Sequence, residues 1–318
     1  MARFLLRRLV GMVAVLFAVS VLTFLVFNVI PSSDPAQRMA GRQATPELVA
    51  SINEEWGFDD PLPQQYLTMM GKIFSGDLIS YQGRENVTDR ILEGVPATVS
   101  LCVGAAVIWL FFGILFGYLS ALRAGGRLDR TLTVVAVTGI SMPVFWLAAI
   151  FLNYLTYKTE ILPSGGYVKL TTDPLEWASH LILPWVTVAI LYVGFYSRVL
   201  RSSMLDVMNE DYVRTARAKG LSERRVMSRH VMRNSLIPIV TLFGLDFGAL
   251  LGGAILIEAI FSLNGVGQYA FESLQNLDLP PIMAIVLYGA FFVVLFNTLV
   301  DIAYAWLDPR IRLRAEAR

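Results

Sequence analysis

The charged side chains of this chain are concentrated in residues 198–234, between two almost wholly apolar runs. These 37 positions hold nine basic and four acidic residues. A segment with this composition stays in water and can bind a partner through ion pairs and hydrogen bonds. The two histidines, His180 and His230, lie apart in the sequence without further ligands at metal-binding spacing, so we expect no metal site.

Residues 210–220 predict a short helix with an exposed surface for a partner. Glu210 and Asp211 stand at its start and basic residues toward its end, which complements the helix dipole. Gly220 permits the left-handed turn that ends such a helix, and Ser222 can cap a second helix, giving a helix-turn-helix. The residues that we assign to this surface, called the docking segment, are Glu210, Asp211, Tyr212, Arg214, Thr215, Ala216, Lys219 and Gly220.

The docking segment combines small and aromatic side chains. Thr215, Ala216 and Ala218 predict a small face that lets another backbone approach closely, and Tyr212 supplies a rigid aromatic anchor. The alternative is that the basic residues only reflect the excess of arginine in cytoplasmic loops of membrane proteins. The order of the residues, acids first, then bases, then glycine, favours a docking surface.

Asp246 lies inside an apolar run, where a carboxylate is disfavoured by about 2.5–3.5 kcal/mol. It must therefore avoid lipid. Gly244, Gly248 and Gly252 recur at every fourth position, which predicts a ridge that packs on a neighbouring helix. Because each residue turns a helix by about 100°, Asp246 points about 200° away from Gly244.

The composition places the chain in the membrane. Of its 318 residues, 55% are hydrophobic and 16% are charged, which is too apolar for a soluble globular domain. Only helices or closed barrels satisfy every backbone group in lipid, and the apolar runs lack the alternation of a barrel. We therefore predict an all-α integral membrane protein with six transmembrane helices. The predicted spans are residues 9–30, 96–122, 131–157, 181–197, 235–257 and 282–300.

Basic residues predict the orientation of these helices. Nineteen of the twenty-six lysines and arginines lie before the first span, in residues 123–130, in residues 198–234, or after the last span. Both termini and the charged segment are therefore predicted to be cytoplasmic. The first span is too long for the apolar core of a cleaved signal peptide, so we expect it to be retained. We expect lipid contact and no nucleic acid partner.

The spans divide the chain into four parts. Residues 1–30 are the N-terminal cytoplasmic end and first helix, 31–95 an extracytoplasmic loop with short helices, 96–310 a core of five helices, and 311–318 a cytoplasmic tail. In the loop, Thr45 and Gly57 predict the start and end of one helix. A second helix is predicted from Pro63 to Gly76. Its apolar stripe, expected to pack on the protein's own outer surface, consists of Tyr66, Leu67, Met70, Ile73 and Phe74.

The docking segment resembles the cytoplasmic loop of ABC importer permeases, in particular the peptide/nickel branch with its dipeptide and oligopeptide permease B subunits. The resemblance is carried by residues 212–221, 229–234 and 237–238. The wider family has Glu-Ala-Ala where this chain has Arg214-Thr215-Ala216, and it has isoleucine and proline in place of His230 and Arg233. Further marks occur at residues 34–36, 61–66, 76–78, 96–98, 141–146, 252–254, 257–261 and 307–310.

The resemblance implies a type I ABC importer permease with a short cytoplasmic coupling helix in residues 198–234. It further implies two cytoplasmic ATPase subunits, a second homologous permease subunit and an extracytoplasmic substrate-binding protein, in a bacterial cytoplasmic membrane. No phosphate-binding loop of the form Gly-x-x-x-x-Gly-Lys-Ser/Thr occurs in the sequence, so we expect ATP and magnesium in the partner ATPases and no enzyme activity in this chain.

Three residues are assigned to the translocation path. Asp246 is predicted to face it, where it can meet an ammonium group of a substrate; the alternative is a protonated or hydrogen-bonded structural acid at the subunit interface. Glu258 and Phe261 are predicted to belong to an outer gate, the alternative for Glu258 being a position in interfacial water. Asp301 is expected to pair with a loop arginine.

Di- or oligopeptides are the cargo that the resemblance favours, with nickel chelates, glutathione and haem as alternatives. A secondary transporter without ATPases would show inverted repeats and paired acids in the membrane, and neither is evident. A membrane enzyme would need a catalytic constellation, and none is visible in the sequence.

Overall fold

The computed structural model describes residues 2–30, 34–41 and 44–307. The predicted tail at 311–318 and the resemblance at 308–310 lie outside the described residues, as does the side chain of Asp301. The described part consists of helices joined by loops, and one isolated antiparallel bridge forms between Ile79 and Asn86. The helices are α1 Ala2–Phe24, α2 Pro35–Ala40, α3 Pro46–Trp56, α4 Leu62–Ser75, α5 Val87–Leu122, α6 Arg127–Ser141, α7 Val144–Phe151, α8 Pro174–Met208, α9 Asp211–Ala218, α10 Glu223–Arg225, α11 Arg233–Ser235, α12 Ile237–Gly253, α13 Ile255–Ile260, α14 Val266–Asn276 and α15 Leu279–Leu307.

The helices agree with the predicted all-α membrane architecture. Four stretches are long and apolar enough to cross a membrane: Leu6–Val29, Val87–Leu122, Pro174–Met208 and Leu279–Val300. Two bent pairs bring the number to six if each pair forms one span. The pairs are Arg127–Ser141 with Val144–Lys158, and Glu223–Ser235 with Ile237–Gly253.

The third predicted span is not the single helix expected over residues 131–157. Its two halves, α6 and the segment that begins with α7, meet at an angle of 97°. Pro143 explains the break, because it has no N–H for the helix and disfavours helical geometry in the residue before it. Met142 accordingly has extended backbone angles, φ −82° and ψ 128°.

Two spans are longer than predicted because polar caps lie outside the apolar runs. Helix α5 begins at Val87, where the Asn86 Oδ1 accepts hydrogen bonds from two backbone N–H groups at 2.8 and 3.1 Å. Helix α8 begins at Pro174, where Asp173 Oδ1 caps two N–H groups at 2.8 and 3.0 Å. Pro184 lies inside α8.

The fifth span ends earlier than predicted. Helix α12 stops at Gly253, whose φ of +155° is open to glycine but rarely to other residues. A separate helix, α13, follows from Ile255, so the expected continuous run to residue 257 is wrong.

The chain forms two compact units, residues 1–99 with 248–318, and residues 100–247. The first unit contains α1 to α4 and α13 to α15, which pack around a buried cluster that includes Met39, Ile52, Trp56 and Met69. The second contains α6 to α11, with α8 packed against α6 and α7. The fourfold division predicted from the sequence stays a prediction.

The helices within residues 31–95 begin close to the predicted residues. Thr45 Oγ1 accepts a hydrogen bond from Leu48 N at 3.2 Å, and α3 ends at Gly57 in the left-handed conformation. Helix α4 starts at Leu62 and also ends at a left-handed glycine, as predicted.

The predicted apolar stripe of α4 is wrong in part. Leu67 and Phe74 are 66% and 84% exposed, whereas Met69 is fully buried. Tyr66 does pack inward, where its hydroxyl lies 2.6 Å from Ser20 Oγ on α1. The helix is therefore rotated from the predicted face, because its contact with α1 decides which residues are covered.

Candidate functional site

The docking segment forms a short helix that ends as the sequence predicts. Helix α9 begins after Glu210, whose side chain makes no capping hydrogen bond. Its last turn closes with Lys219 N donating to Thr215 O at 3.0 Å. Gly220 then has φ +76°, the left-handed turn that glycine adopts without strain.

Two faces of α9 have different environments. Val213 and Ala216 are 0% and 5% exposed and hold the helix on the protein, and α9 packs against α8 and the π-helical stretch Val226–Met232. Residues three apart share a helix face. The predicted small face of Thr215, Ala216 and Ala218 is therefore wrong: Ala216 points inward, whereas Thr215 and Ala218 are exposed.

Two side-chain contacts brace the helix from outside. Tyr212 Oη accepts a hydrogen bond from Asn234 Nδ2 at 2.7 Å. Arg217 donates two hydrogen bonds to Glu223: Nε donates to Oε2 at 3.1 Å, and Nη2 donates to Oε1 at 2.8 Å. The guanidinium lowers the pKa of the Glu223 carboxyl, which is otherwise exposed.

The second helix of the charged segment starts where predicted but without the predicted cap. Helix α10 begins after Ser222, and the Ser222 side chain makes no capping hydrogen bond. Glu223 lies in its first turn and is the partner of Arg217 on α9. The turn at Gly220 is therefore bridged by an ion pair, and the exposed residues of the docking segment sit on a braced hairpin.

A buried ion pair lies in the same unit, and sequence reasoning missed it. Asp129 accepts hydrogen bonds from Arg201 Nε at 2.7 Å and from a terminal guanidinium nitrogen at 2.8 Å. Its oxygens also accept from Ser120 Oγ and, at 2.7 Å, from Gly125 N. The Asp129 side chain is 5% exposed and that of Arg201 is 30% exposed. The signal in the sequence was one acid among the arginines of residues 123–130.

The Asp129 ion pair links the loop after α5 and the start of α6 to α8. Arg201 lies on the last turns of α8, and α8 ends at Met208 just before the docking segment. A movement of α9 that carried α8 with it would therefore act on a buried, bidentate ion pair.

Asp246 contacts a buried tyrosine of α8. Its Oδ2 accepts a hydrogen bond from Tyr196 Oη at 2.7 Å. Tyr196 and Trp109 are fully buried, and Trp109 stacks on Tyr192 with 4.5 Å between the ring centroids. Phe243, one helical turn before Asp246, packs at 6.2 Å from the Trp109 ring. The assignment of Asp246 to the translocation path stays a prediction.

Two of the three glycines in the predicted ridge, Gly248 and Gly252, pack on a helix as their spacing predicts. A Cβ added at Gly248 would lie 3.2 Å from the Val293 Cα, and one added at Gly252 would lie 3.2 Å from the Gly289 Cα. Both neighbours belong to α15. The backbones of α12 and α15 therefore approach closely at these two positions.

Glu258 is fully buried, which contradicts the alternative that it lies in interfacial water. Its Oε1 accepts a hydrogen bond from Thr98 Oγ1 at 2.8 Å. Its Oε2 accepts from Gly267 N at 2.8 Å and Gln268 N at 3.1 Å, at the start of α14. Phe261 is 1% exposed. Neither residue presents a surface to a path in this structure, and their role in an outer gate stays a prediction.

The Glu258 contact also explains the glycine at residue 265. A Cβ added there would lie 2.2 Å from Glu258 Oε2 and 2.7 Å from Thr98 Oγ1. Only a residue without a side chain leaves room for the carboxylate. The family resemblance covered residues 257–261 and did not reveal this contact with Gly265 and Gly267.

Comparison with known families covers most of the chain. Residues 113–313 match the family described as binding-protein-dependent transport system inner membrane component. Residues 1–102 match a family described as the N-terminal part of a membrane component of binding-protein-dependent transport systems.

Relatives of similar length carry transport names. A probable peptide ABC transporter permease of Sinorhizobium fredii is 37% identical over 98% of this chain and 100% of its own. A di/tripeptide transport system permease of Pseudomonas aeruginosa is 37% identical over 98% of this chain and 99% of its own. The dipeptide transport system permease of Escherichia coli K12 is 36% identical, with the same coverage.

The fold is similar to that of a solved transporter chain. A chain of the MetNI methionine ABC transporter, in an inward-facing conformation, superposes with a TM-score of 0.53 over 69% of this chain and 96% of that chain. The identity is 16%, so the likeness concerns the fold.

Proposed function

The chain belongs to the family of binding-protein-dependent transport system inner membrane components, and we propose that it is the permease subunit of an ATP-driven importer of peptides. It is a multi-pass membrane protein, and its family works with ATPase and substrate-binding proteins. The peptide cargo is supported by the names of relatives that match almost the whole chain. The observation that carries the mechanism is the exposed, braced helix α9.

The proposed complex contains three further kinds of subunit. Two cytoplasmic ATPases bind ATP and magnesium, and one of them grips the docking segment through its exposed face. A second, homologous permease completes the path, and an extracytoplasmic binding protein delivers the peptide. Hydrolysis belongs to the ATPases, which gives this chain a mechanical role.

The proposed location is a bacterial cytoplasmic membrane with both termini in the cytoplasm. Support comes from the distribution of nineteen of twenty-six basic residues to one set of loops. The same distribution supports the proposal that α9 lies on the cytoplasmic side, where ATP is available.

In the proposed mechanism, closure of the ATPases pushes α9 and the spans alternate between two orientations. Val213 and Ala216 are buried, and the Arg217–Glu223 ion pair bridges the following turn, so α9 moves with the structure beneath it. A flexible loop would absorb the push. The brace is the physical reason why an exposed helix of eight residues can transmit force.

A bulky charge on the outer face of α9 tests the proposal. Thr215 is exposed, and its Oγ1 bonds only its own helix, at Asp211 O. Thr215→Arg is expected to leave the chain folded but to reduce peptide-driven ATP hydrolysis and uptake by at least about tenfold, because the added side chain separates the docked surfaces. The measurement uses the purified complex in proteoliposomes.

The matched control is Thr131→Arg. Thr131 is also exposed, lies near the start of a helix and bonds the carbonyl four residues before it. We expect this variant to retain most of its uptake. Equal uptake by the Thr215→Arg variant and wild type would remove the docking role, and wild-type vesicles that import no peptide would remove the peptide cargo.

A further inference from the structure

Only one of the two carboxylate oxygens of Asp246 accepts a hydrogen bond from the described residues. Tyr196 Oη donates to Oδ2 at 2.7 Å. Within residues 2–30, 34–41 and 44–307, no other donor bonds this carboxylate, and Oδ1 is not enclosed. The side chain is half-buried on α12. One oxygen is therefore fixed in place and the other remains available to a ligand.

Aromatic rings pack around Tyr196, the residue that bonds the Asp246 carboxylate. Tyr192 and Phe243 are half-buried and lie against the fully buried Trp109, at centroid distances of 4.5 and 6.2 Å. The Tyr192 ring also packs on Tyr196, the residue that bonds Asp246, with 6.2 Å between the ring centroids. Ring faces attract cations, and the attraction grows as water is removed. The group combines one negative charge with several such faces.

This combination selects a class of ligand. Calcium and magnesium require about six or more oxygen ligands, and one carboxylate among hydrocarbon rings does not supply them. An organic ammonium ion carries a single positive charge, which one carboxylate balances, and ring faces attract it further. The chemistry therefore fits an ammonium group attached to a carbon chain.

We propose that Asp246, with the ring of Tyr192, binds the ammonium group of the cargo as it passes through the membrane. The proposal rests on the proposed function, because peptides carry an ammonium group at the amino terminus. Tyr196 is a positioning residue: its hydroxyl holds Oδ2, which leaves Oδ1 directed at the ligand. Both tyrosines lie on α8 and Asp246 lies on α12, within one compact unit.

The site is suited to transient binding. Asp246 offers one open oxygen, and Tyr192 is only half-buried, so a bound ammonium keeps part of its contact with water. Weak binding is useful here, because a cargo that is held tightly would not be released. The contact involves only the ammonium group of the peptide. Peptides with different side chains can therefore use the same site.

The experiment uses the complete purified complex with its binding protein in lipid nanodiscs, and the readout is peptide-stimulated ATP hydrolysis. Benzylammonium is added as the probe and benzyl alcohol as its neutral counterpart. We expect benzylammonium to inhibit wild type and Asp246→Glu at similar concentrations. For Asp246→Asn the inhibitory concentration is expected to rise at least about tenfold. Benzyl alcohol is expected to act equally on all three.

A second variant tests the site in case the complex with Asp246→Asn does not assemble. Tyr192→Leu removes the ring and keeps the carboxylate, and we expect about a threefold weaker effect of benzylammonium. The binding protein is the same throughout, so its own preference for ammonium cancels between variants. Tyr196→Phe is expected to reduce the difference between the effects of benzylammonium and benzyl alcohol. Asp246→Glu is expected to preserve that difference.

Three results would overturn the site. The first is an equal response of wild type to benzylammonium and benzyl alcohol. The second is an Asp246→Asn complex that assembles and keeps the wild-type response to benzylammonium. The third is failure of both Asp246→Asn and Tyr192→Leu to assemble, which would indicate a structural acid at a subunit interface. In each of these cases wild-type peptide uptake still tests the importer function separately.

Discussion

Glu258 and Asp246 are near each other in the sequence and use their carboxylates in opposite ways. Glu258 is fully buried and accepts three hydrogen bonds, one from a threonine and two from backbone N–H groups. Asp246 is half-buried and accepts one, from Tyr196. A carboxylate whose acceptors are filled by its own chain joins parts of the fold, whereas one with an open oxygen can serve a ligand. The number of filled acceptors separates the two roles better than burial alone.

Asp129 resembles Glu258 and extends the comparison to the C-terminal end of α8, where its partner Arg201 lies. Its oxygens accept bonds from Arg201, Ser120 and the backbone of Gly125. All of these donors belong to the chain itself. We therefore class it with the structural carboxylates, although its partner is charged.

The largest expected effect follows removal of Glu258. Glu258→Ala leaves three donors without an acceptor, at Thr98, Gly267 and Gln268. Each buried donor without a partner costs about 1–3 kcal/mol, so we expect a loss of about 3 kcal/mol or more in stability. The measurement is the melting temperature of the purified complex together with its yield.

Two variants sharpen this result. Glu258→Gln keeps an oxygen for the two backbone donors, so its loss should be smaller. Glu272→Ala removes an exposed acid on the same helix as Gly267 and should change the melting temperature little. A melting temperature of Glu258→Ala within error of wild type would end the distinction between filled and open carboxylates.

An intermediate effect is expected for Asp129→Asn. The amide cannot balance the charge of Arg201, and breaking a buried pair costs about 3–5 kcal/mol. The Arg201 side chain is 30% exposed and can reach water, so we expect about 2 kcal/mol. Chemical unfolding of the complex measures it. Arg201→Lys, which keeps the charge but not the two parallel hydrogen bonds, should cost less; equal losses would mean that geometry alone matters.

The smallest effect on stability is expected for Asp246→Asn. The amide oxygen can still accept the Tyr196 hydroxyl, so the melting temperature should change by less than the equivalent of about 1 kcal/mol. A loss comparable to that of Glu258→Ala would place Asp246 among the structural carboxylates, and the two residues would no longer differ in kind.

The helical membrane fold could be predicted from the sequence because apolar composition acts over whole segments. The ends of helices were predictable where a single residue decides them, as at Thr45, Gly57 and Gly220. The 97° bend before α7 was not predicted, although Pro143 was visible. A proline permits a break, and the packing of the two halves decides whether a kink or a sharp corner forms.

The position of helix α9 was predictable from the sequence, whereas its docking role stays a prediction. The order of charges predicted a short helix, but which residues of α9 point inward depended on contacts with α8 and the π-helical stretch, as the burial of Ala216 shows. The partners of Glu258 lie far from it in the sequence, at Thr98, or beyond a turn, at Gly267. Such contacts are set by tertiary structure, and periodicity carries no information on them.

The brace between Arg217 and Glu223 has a thermodynamic consequence for association. A free peptide of eight residues is mostly unstructured in water, because forming its first helical turn is unfavourable. Fixing each backbone residue costs about 1–2 kcal/mol of conformational entropy. Helix α9 has already lost that freedom before any partner arrives, so an ATPase that binds it can direct its interaction energy to moving the membrane helices.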